Sequence, residues 1–122
     1  MYKGITFAIL LILFLSNSFY VYTKGTEGPS VIMNEEAIQG KLLFQKYNCQ
    51  VCHQIYGLGG YLGPELTTVM SKPGFGEPYA MAILKSGTQR MPNFKLKESE
   101  INQLMEFLKY IDKTAITYKN NN

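Results

Sequence analysis

Apolar residues along the chain form one long run near the start, followed by three segments with the spacing of amphipathic helices. The run covers residues 5–22 and is interrupted by Thr6 and by the polar residues 16–18. As a helix rising about 1.5 Å per residue, it extends roughly 27 Å, close to the ~30 Å thickness of a hydrocarbon core. The pattern therefore predicts one N-terminal transmembrane helix, with residues 1–23 as a membrane anchor.

A cleaved signal peptide is the alternative for this segment. Lys3, the short central apolar run and the small residues Ser16 and Ser18 are typical of a signal peptide. The aromatic residues at 19–22 and the lack of alanine at the candidate cleavage site favour an uncleaved anchor. Both interpretations export the rest of the chain. A buried helix of a soluble fold is the third interpretation, and a position ahead of a polar linker disfavours it.

The polar stretch at residues 24–33 contains two glycines and a proline, and we interpret it as a linker. The first helix after it is predicted to have Asn34 as its N-cap and to run up to Asn48. A shorter helix follows, with Pro78 in its first turn and Gly87 as its stop.

The last helix has the clearest pattern, because its apolar residues recur at steps of three and four. These residues are Ile101, Leu104, Met105, Leu108 and Ile111. No stretch alternates as a half-buried strand would, so the predicted fold class is all-α. The helical domain is assigned to residues 34–115, and residues 116–122 form a polar tail.

Both cysteines and the single histidine of the chain lie in one pentapeptide, Cys49-Gln50-Val51-Cys52-His53. This is the attachment signature of a c-type haem, in which two thiols add across the vinyl groups and the imidazole binds the iron. The sequence therefore predicts one haem c, covalently held by Cys49 and Cys52, with His53 as an axial ligand. A covalently held haem also adds apolar surface to a domain too small for a large core.

Three other uses of these residues are less well supported. A structural zinc site needs four Cys or His ligands, and the chain has three. A thioredoxin-type dithiol follows a strand within a βαβ pattern, whereas the segment before Cys49 is predicted to be a helix. A structural disulfide between Cys49 and Cys52 is the remaining alternative.

A second axial ligand has to come from elsewhere in the chain. The candidates are a methionine, a lysine, a weaker ligand or none. Met91 precedes Pro92, which favours an extended conformation, so Met91 is predicted to lie in a loop where its thioether can reach the iron. The other methionines are assigned to the anchor, the linker or helix packing. A His53/Met91 pair closes both axial positions and raises the reduction potential, as in an electron carrier.

Other features narrow the function classes. The formal net charge is +3 without a basic stripe, so nucleic-acid binding has no support. Residues 57–64 hold four glycines but lack the Lys-Ser/Thr pair of a phosphate loop, so they form either an ordinary loop or one that wraps the haem edge. Lys85 and Arg90 are either partners of the haem propionates or solvated surface residues.

The cysteine motif, the segment Gly63-Pro64-Glu65-Leu66, the Met91-Pro92 loop and the amphipathic last helix, in this order, resemble a class I cytochrome c. The resemblance implies that the Pro64 carbonyl accepts a hydrogen bond from the proximal His53. It also implies that the first and last helices cross through small and aromatic residues. The matching residues are Gly40, Phe44, Leu104 and Phe107.

A closer resemblance covers nearly the whole chain. The anchor, the Gly59-Gly60-Tyr61 loop and the segment Arg90-Met91-Pro92-Asn93-Phe94 are similar to the small cytochrome c subunit of bacterial nitric oxide reductase. In this family the loop faces the catalytic subunit and lends backbone oxygens to a calcium site, which would fall on Gly59 and Tyr61. The loop here departs from the common Gly-Glu-Gly-Ala-Tyr pattern because it lacks the acidic residue.

The resemblance implies an electron-transfer subunit that is not itself a catalyst. It would be a single-pass protein of the bacterial inner membrane with its haem domain on the periplasmic side. It would receive electrons from a soluble donor and pass them to a large membrane catalytic haem subunit. The alternatives are an anchored carrier for a haem-copper oxygen reductase and, from another class, a haem gas sensor or peroxidase with an open distal face.

Overall fold

The computed structural model describes residues 2–25 and 31–115. The chain divides into two compact units, Met1–Ser30 and Val31–Asn122. Residues 26–30 of the predicted linker and the predicted polar tail at 116–122 lie outside the described residues.

The described part of the first unit, residues 2–25, is one continuous helix. Helix α1 covers Tyr2–Tyr20 and continues as a π-helical turn over Val21–Gly25. The helix has 24 residues, and an 18-residue window within it has a mean hydropathy of 2.0. None of its residues is buried. By length and composition this helix can cross a membrane, a property that it shares with signal sequences. The hydroxyls of Thr6 and Thr23 donate to carbonyls four residues earlier, which satisfies them within the helix.

Within residues 31–115 the structure has three α-helices, α2 at Glu35–Lys46, α3 at Glu77–Ser86 and α4 at Glu98–Thr114. All three were predicted from the apolar pattern. The N-cap of α2 is Asn34, whose side chain accepts a hydrogen bond of 2.8 Å from the Ala37 N–H. Helix α3 has Pro78 in its first turn and Gly87 at its C-terminal end.

A short β-hairpin, absent from the sequence-based prediction, follows the cysteine motif. Strands β1 (Gln54–Ile55) and β2 (Leu58–Gly59) pair antiparallel. Their connecting residues Tyr56 and Gly57 have φ values of 54° and 76°, the left-handed conformation that tight hairpin turns require. Two-residue strands are too short to show alternation, so the apolar pattern carries no signal for them. The all-α fold class stands.

Helices α2 and α4 cross at Gly40, as the family resemblance implies. A Cβ atom on Gly40 would lie 2.6 Å from the backbone carbon of Gln103 and 2.8 Å from Phe107 Cβ, so only glycine permits this approach. The rings of Phe44 and Phe107 pack with their centroids 5.6 Å apart. The crossing therefore brings the aromatic side chains of both helices into one core cluster that also contains Leu104.

Polar contacts hold both ends of α4. At its start, Glu100 accepts a 2.9 Å hydrogen bond from the Lys97 N–H, and this bond is the main cause of the lowered pKa of Glu100. Near its end, the buried Asp112 accepts hydrogen bonds from the backbone N–H and the hydroxyl of Ser71, at 2.9 and 2.8 Å. The loop that contains Ser71 is thereby tied to the last helix.

Candidate haem site

The cysteine motif forms a compact helical turn directly after α2. Asn48 enters it with a left-handed φ of 53°, which redirects the chain. The Cys49 carbonyl then accepts hydrogen bonds from the N–H groups of Cys52 and His53, at 3.2 and 2.9 Å. This turn brings both thiols and the imidazole to the wall of one cavity.

The imidazole of His53 is held by Pro64. Its Nδ1 lies 2.8 Å from the Pro64 carbonyl oxygen. A carbonyl oxygen can only accept, so Nδ1 carries the proton and the lone pair of Nε2 is available for a metal ion. Gly63 leaves room for the ring, because a Cβ atom there would lie 2.6 Å from Nδ1 and 2.9 Å from Nε2. Its backbone neighbours thus hold the ring of His53 in place and leave Nε2 available to bind a metal ion.

The glycine-rich loop packs against the backbone of the cysteine motif. The N–H of Gly60 donates to the Gln50 carbonyl at 2.9 Å, and the N–H of Gly63 donates to the Cys52 carbonyl at 2.7 Å. A Cβ atom on Gly60 would collide with the Val51 backbone, with 2.5 Å to its carbonyl carbon. The close approach that these glycines permit is therefore to the motif itself.

The cavity has a volume of about 790 Å³, which is within the usual range for a cofactor pocket. All six site residues predicted from the sequence line it: Cys49, Cys52, His53, Pro64, Arg90 and Met91. Apolar side chains from the helices and loops make up much of the remaining wall, among them Phe44, Leu66, Val69, Ile83, Leu84, Leu104 and Leu108. An apolar pocket with two thiols, one imidazole and one thioether matches the requirements of a covalently attached haem.

Met91 lies in the loop between α3 and α4, as predicted, and is half-buried. Among the methionines of residues 2–25 and 31–115, Met91 alone lines the cavity. Met105 is buried in the core, where it forms a cluster with Ala80 and Ile101 against which Met70 and Met81 pack. The thioether of Met91 is therefore the methionine sulfur available to a group in this cavity.

The Cys49 thiol lacks the lowered pKa that is typical of the attacking thiol in a dithiol redox pair. Both cysteines are free in the structure. Burial raises the pKa of the Cys49 thiol to about 11, so the thiol is neutral at physiological pH. Reactive dithiol pairs depend on a lowered pKa of the attacking thiol. The described residues contain no group of three or more His, Cys, Asp or Glu side chains that could hold a metal ion.

Several cavity residues were not identified from the sequence. Lys72 lines the cavity and places its Nζ 4.9 Å from the centroid of the Phe75 ring. Tyr79 also lines it, and its ring meets Phe75 at 4.8 Å. Residues 72–78 are rich in proline and glycine, a pattern that indicates only a break between helices and gives no sign of facing the site. Lys85 does not line the cavity; its Nζ lies 2.9 Å from Glu98 instead.

A comparison with protein families identifies the domain. A family model described as cytochrome c oxidase, cbb3-type, subunit III, matches residues 35–108, which include the cysteine motif, Pro64 and Met91. The chain belongs to this cytochrome c family. A cytochrome c domain implies haem c as its cofactor, and it confirms the fold class predicted from the sequence.

Curated relatives of this cytochrome c refine the comparison. It is 34% identical over 90 residues to the nitric oxide reductase C subunit of Stutzerimonas stutzeri, covering 66% of this chain and 62% of the relative. It is 29% identical over 123 residues to the corresponding protein of Cereibacter sphaeroides, and the match covers 91% of this chain and 82% of the relative. The corresponding protein of Paracoccus denitrificans is 28% identical over 119 residues, covering 88% and 79%. The predicted resemblance to the small subunit of nitric oxide reductase is thus confirmed.

Proposed function

We propose that this chain is the membrane-anchored electron-transfer subunit of a nitric oxide reductase, with one haem c attached through Cys49 and Cys52. The observation that carries the proposal is a single cavity lined by both cysteines, His53 and Met91. A closed c-type haem site requires two thiols and two axial donors, and the lining of this one cavity contains all four groups.

Residues of this chain would set the ligands and the reduction potential of the haem iron. Bound in the cavity, haem supplies an iron that alternates between its ferric and ferrous forms. His53 would hold the iron through Nε2, and its Nδ1–H donates to the Pro64 carbonyl, which fixes the ring and makes it a stronger donor. Met91 would hold the iron through its soft sulfur, which would favour ferrous iron and raise the potential. Arg90 at the cavity wall supplies a positive charge for a propionate.

With His53 and Met91 as its two protein ligands, the iron would have no position left for a substrate, so the subunit would transfer electrons without catalysing a reaction. Electrons enter from a soluble donor and leave to a large membrane subunit that holds the catalytic haem. Helix α1 supports a single-pass anchor in the bacterial inner membrane, because its length and apolar composition are those of a span. Covalent haem attachment takes place outside the cytoplasm, which supports a haem domain on the periplasmic side.

Purification of the affinity-tagged chain from its native membranes in mild detergent tests the partner. We expect a multi-helix, haem-containing subunit to remain bound and the preparation to reduce nitric oxide to nitrous oxide with a reduced electron donor. A Cys49→Ala/Cys52→Ala chain is the matched control, because it keeps the anchor but cannot hold haem covalently, and its preparation should lose donor-driven activity. Recovery without a haem-containing partner would refute the reductase assignment.

A haem-copper oxygen reductase is the second candidate partner, because the matching family model is described as subunit III of a cbb3-type oxidase. The names of the curated relatives favour nitric oxide reductase. The same purification discriminates between them, since an oxygen reductase would bring copper and cyanide-sensitive oxygen consumption with it.

Replacing Met91 tests the closed distal face. Met91→Ala should abolish the weak absorption band of ferric iron–methionine ligation and let the ferrous protein bind carbon monoxide. The reduction potential should fall by on the order of 100 mV, since axial ligands set potentials over a wide range. Met81→Ala is the control, because Met81 packs against a core cluster and does not line the cavity. Carbon monoxide binding by the unmodified protein would instead support a gas sensor or peroxidase.

A further inference from the structure

The loop that contains Met91 folds back onto the end of α3. Gly87, the residue after this helix, has a φ of 69°, which favours glycine. A Cβ atom on Gly87 would lie 2.8 Å from the Met91 carbonyl oxygen and 2.9 Å from the Asn93 nitrogen. The backbone from the Met91 carbonyl to Asn93 is therefore in close contact with the helix end.

Thr88 bonds to both backbone polar groups of Met91. Its hydroxyl oxygen accepts hydrogen bonds from the N–H of Met91 at 3.0 Å and from the N–H of Arg90 at 3.3 Å. Its own N–H donates to the Met91 carbonyl at 2.8 Å. Thr88 also lines the cavity. Removal of its hydroxyl would leave two backbone donors of the ligand loop without their protein acceptor.

Asn93 ties down the other side of the loop. Its side-chain Nδ2 donates to the Lys85 carbonyl in the last turn of α3 at 3.2 Å, and its Oδ1 accepts from the Lys95 N–H at 2.8 Å. Pro92, between Asn93 and Met91, has a fixed φ and limits the freedom of the loop further. Met91 is thus flanked by two side-chain ties, one within the loop and one to the helix.

We propose that Thr88 is the positioning residue that keeps the Met91 thioether at the haem iron, with Asn93 as a second tie. The inference rests on the proposed ligation by Met91. With the ties in place, the loop spends little time in conformations that move the sulfur away from the iron. Without the Thr88 hydroxyl, the open conformations gain population and an external ligand competes more successfully.

The test is the affinity of the ferric full-length holoprotein for imidazole, which displaces the methionine. One net hydrogen bond changes an equilibrium by roughly fivefold, so Thr88→Val should bind imidazole about fivefold more tightly. Thr88→Ser keeps the acceptor oxygen, so its affinity for imidazole should lie within about twofold of that of the unmodified protein. Thr68→Val, the same exchange at a residue outside the cavity wall, is the control and should leave it unchanged.

A purely structural role for Thr88 makes a different prediction. If the role were structural, Thr88→Val would lower the denaturant midpoint of the far-ultraviolet circular dichroism signal. If the role is positioning, Thr88→Val changes the affinity for imidazole and preserves that midpoint. Equal affinities of Thr88→Val and the unmodified protein would refute the proposal. An unmodified protein that lacks the iron–methionine band and matches Met91→Ala would refute the ligation by Met91 itself, which separates that failure from the failure of Thr88.

Discussion

Gly63→Ala should remove the low-spin, six-coordinate spectrum of the holoprotein. The added methyl carbon would lie 2.6 Å from Nδ1 of His53 and 2.9 Å from Nε2, closer than real Cβ contacts. The ring has to move, and the hydrogen bond from Nδ1 to the Pro64 carbonyl is then lost. Loss of such a supporting contact typically weakens metal binding by about 10- to 100-fold. Haem absorbance per polypeptide and the low-spin fraction measure the effect.

The control for this substitution is Gly25→Ala. A methyl group on Gly25 would meet Val21 at 3.6 Å, an ordinary contact, so this variant should attach haem like the unmodified protein. A Gly63→Ala protein with normal haem content and an unchanged spectrum would show that the His53 ring does not occupy the described position in the holoprotein.

Gly40→Ala should destabilise the haem domain more than any other single methyl addition within α2. Alanine has the better helix propensity by about 1 kcal/mol, which alone would stabilise the helix. The new methyl group would lie 2.6 Å from a backbone atom of α4, so the two helices have to separate. Overpacking of this kind costs about 1–3 kcal/mol, and a rigid backbone on the far side favours the upper end. The midpoint of chemical denaturation measures the loss.

Lys41→Ala is the matched control for Gly40→Ala. Lys41 is the next residue on α2 and is exposed, so its truncation should change the free energy of unfolding by less than about 0.5 kcal/mol. A Gly40→Ala protein as stable as Lys41→Ala would contradict the close crossing of α2 and α4.

The helices of this protein were predictable because each has a local signal. Asn34 caps α2 through its own side chain, and the apolar stripe of α4 from Ile101 to Ile111 records the face that it buries. The residues that bond haem were predictable for a similar reason, since the thiols and imidazole of Cys49, Cys52 and His53 are contiguous in sequence. Because these reactive groups lie within one short segment, they form a motif that can be recognised from the sequence alone.

The remaining parts depend on contacts between distant segments. Lys72 lines the cavity and follows Ser71, which is bonded to Asp112, 41 residues away. The role of Thr88 depends on a backbone loop geometry that its residue type does not specify. Lys85 was one of two candidate partners of the haem propionates, but its Nζ lies 2.9 Å from a carboxylate oxygen of Glu98. Single-sequence patterns do not report such pairings, because each member alone is an ordinary surface or loop residue.

In the glycine-rich loop, the residues that pack against the cysteine motif differ from those whose side chains face solvent. Gly60 and Gly63 hold the cysteine motif through backbone N–H groups, so the contact makes no demand on neighbouring side chains. Leu58 and Tyr61 are 77% and 89% exposed on the same loop. A change at Leu58 therefore costs the haem domain little packing, whereas a side chain on Gly60 would collide with the backbone of the cysteine motif.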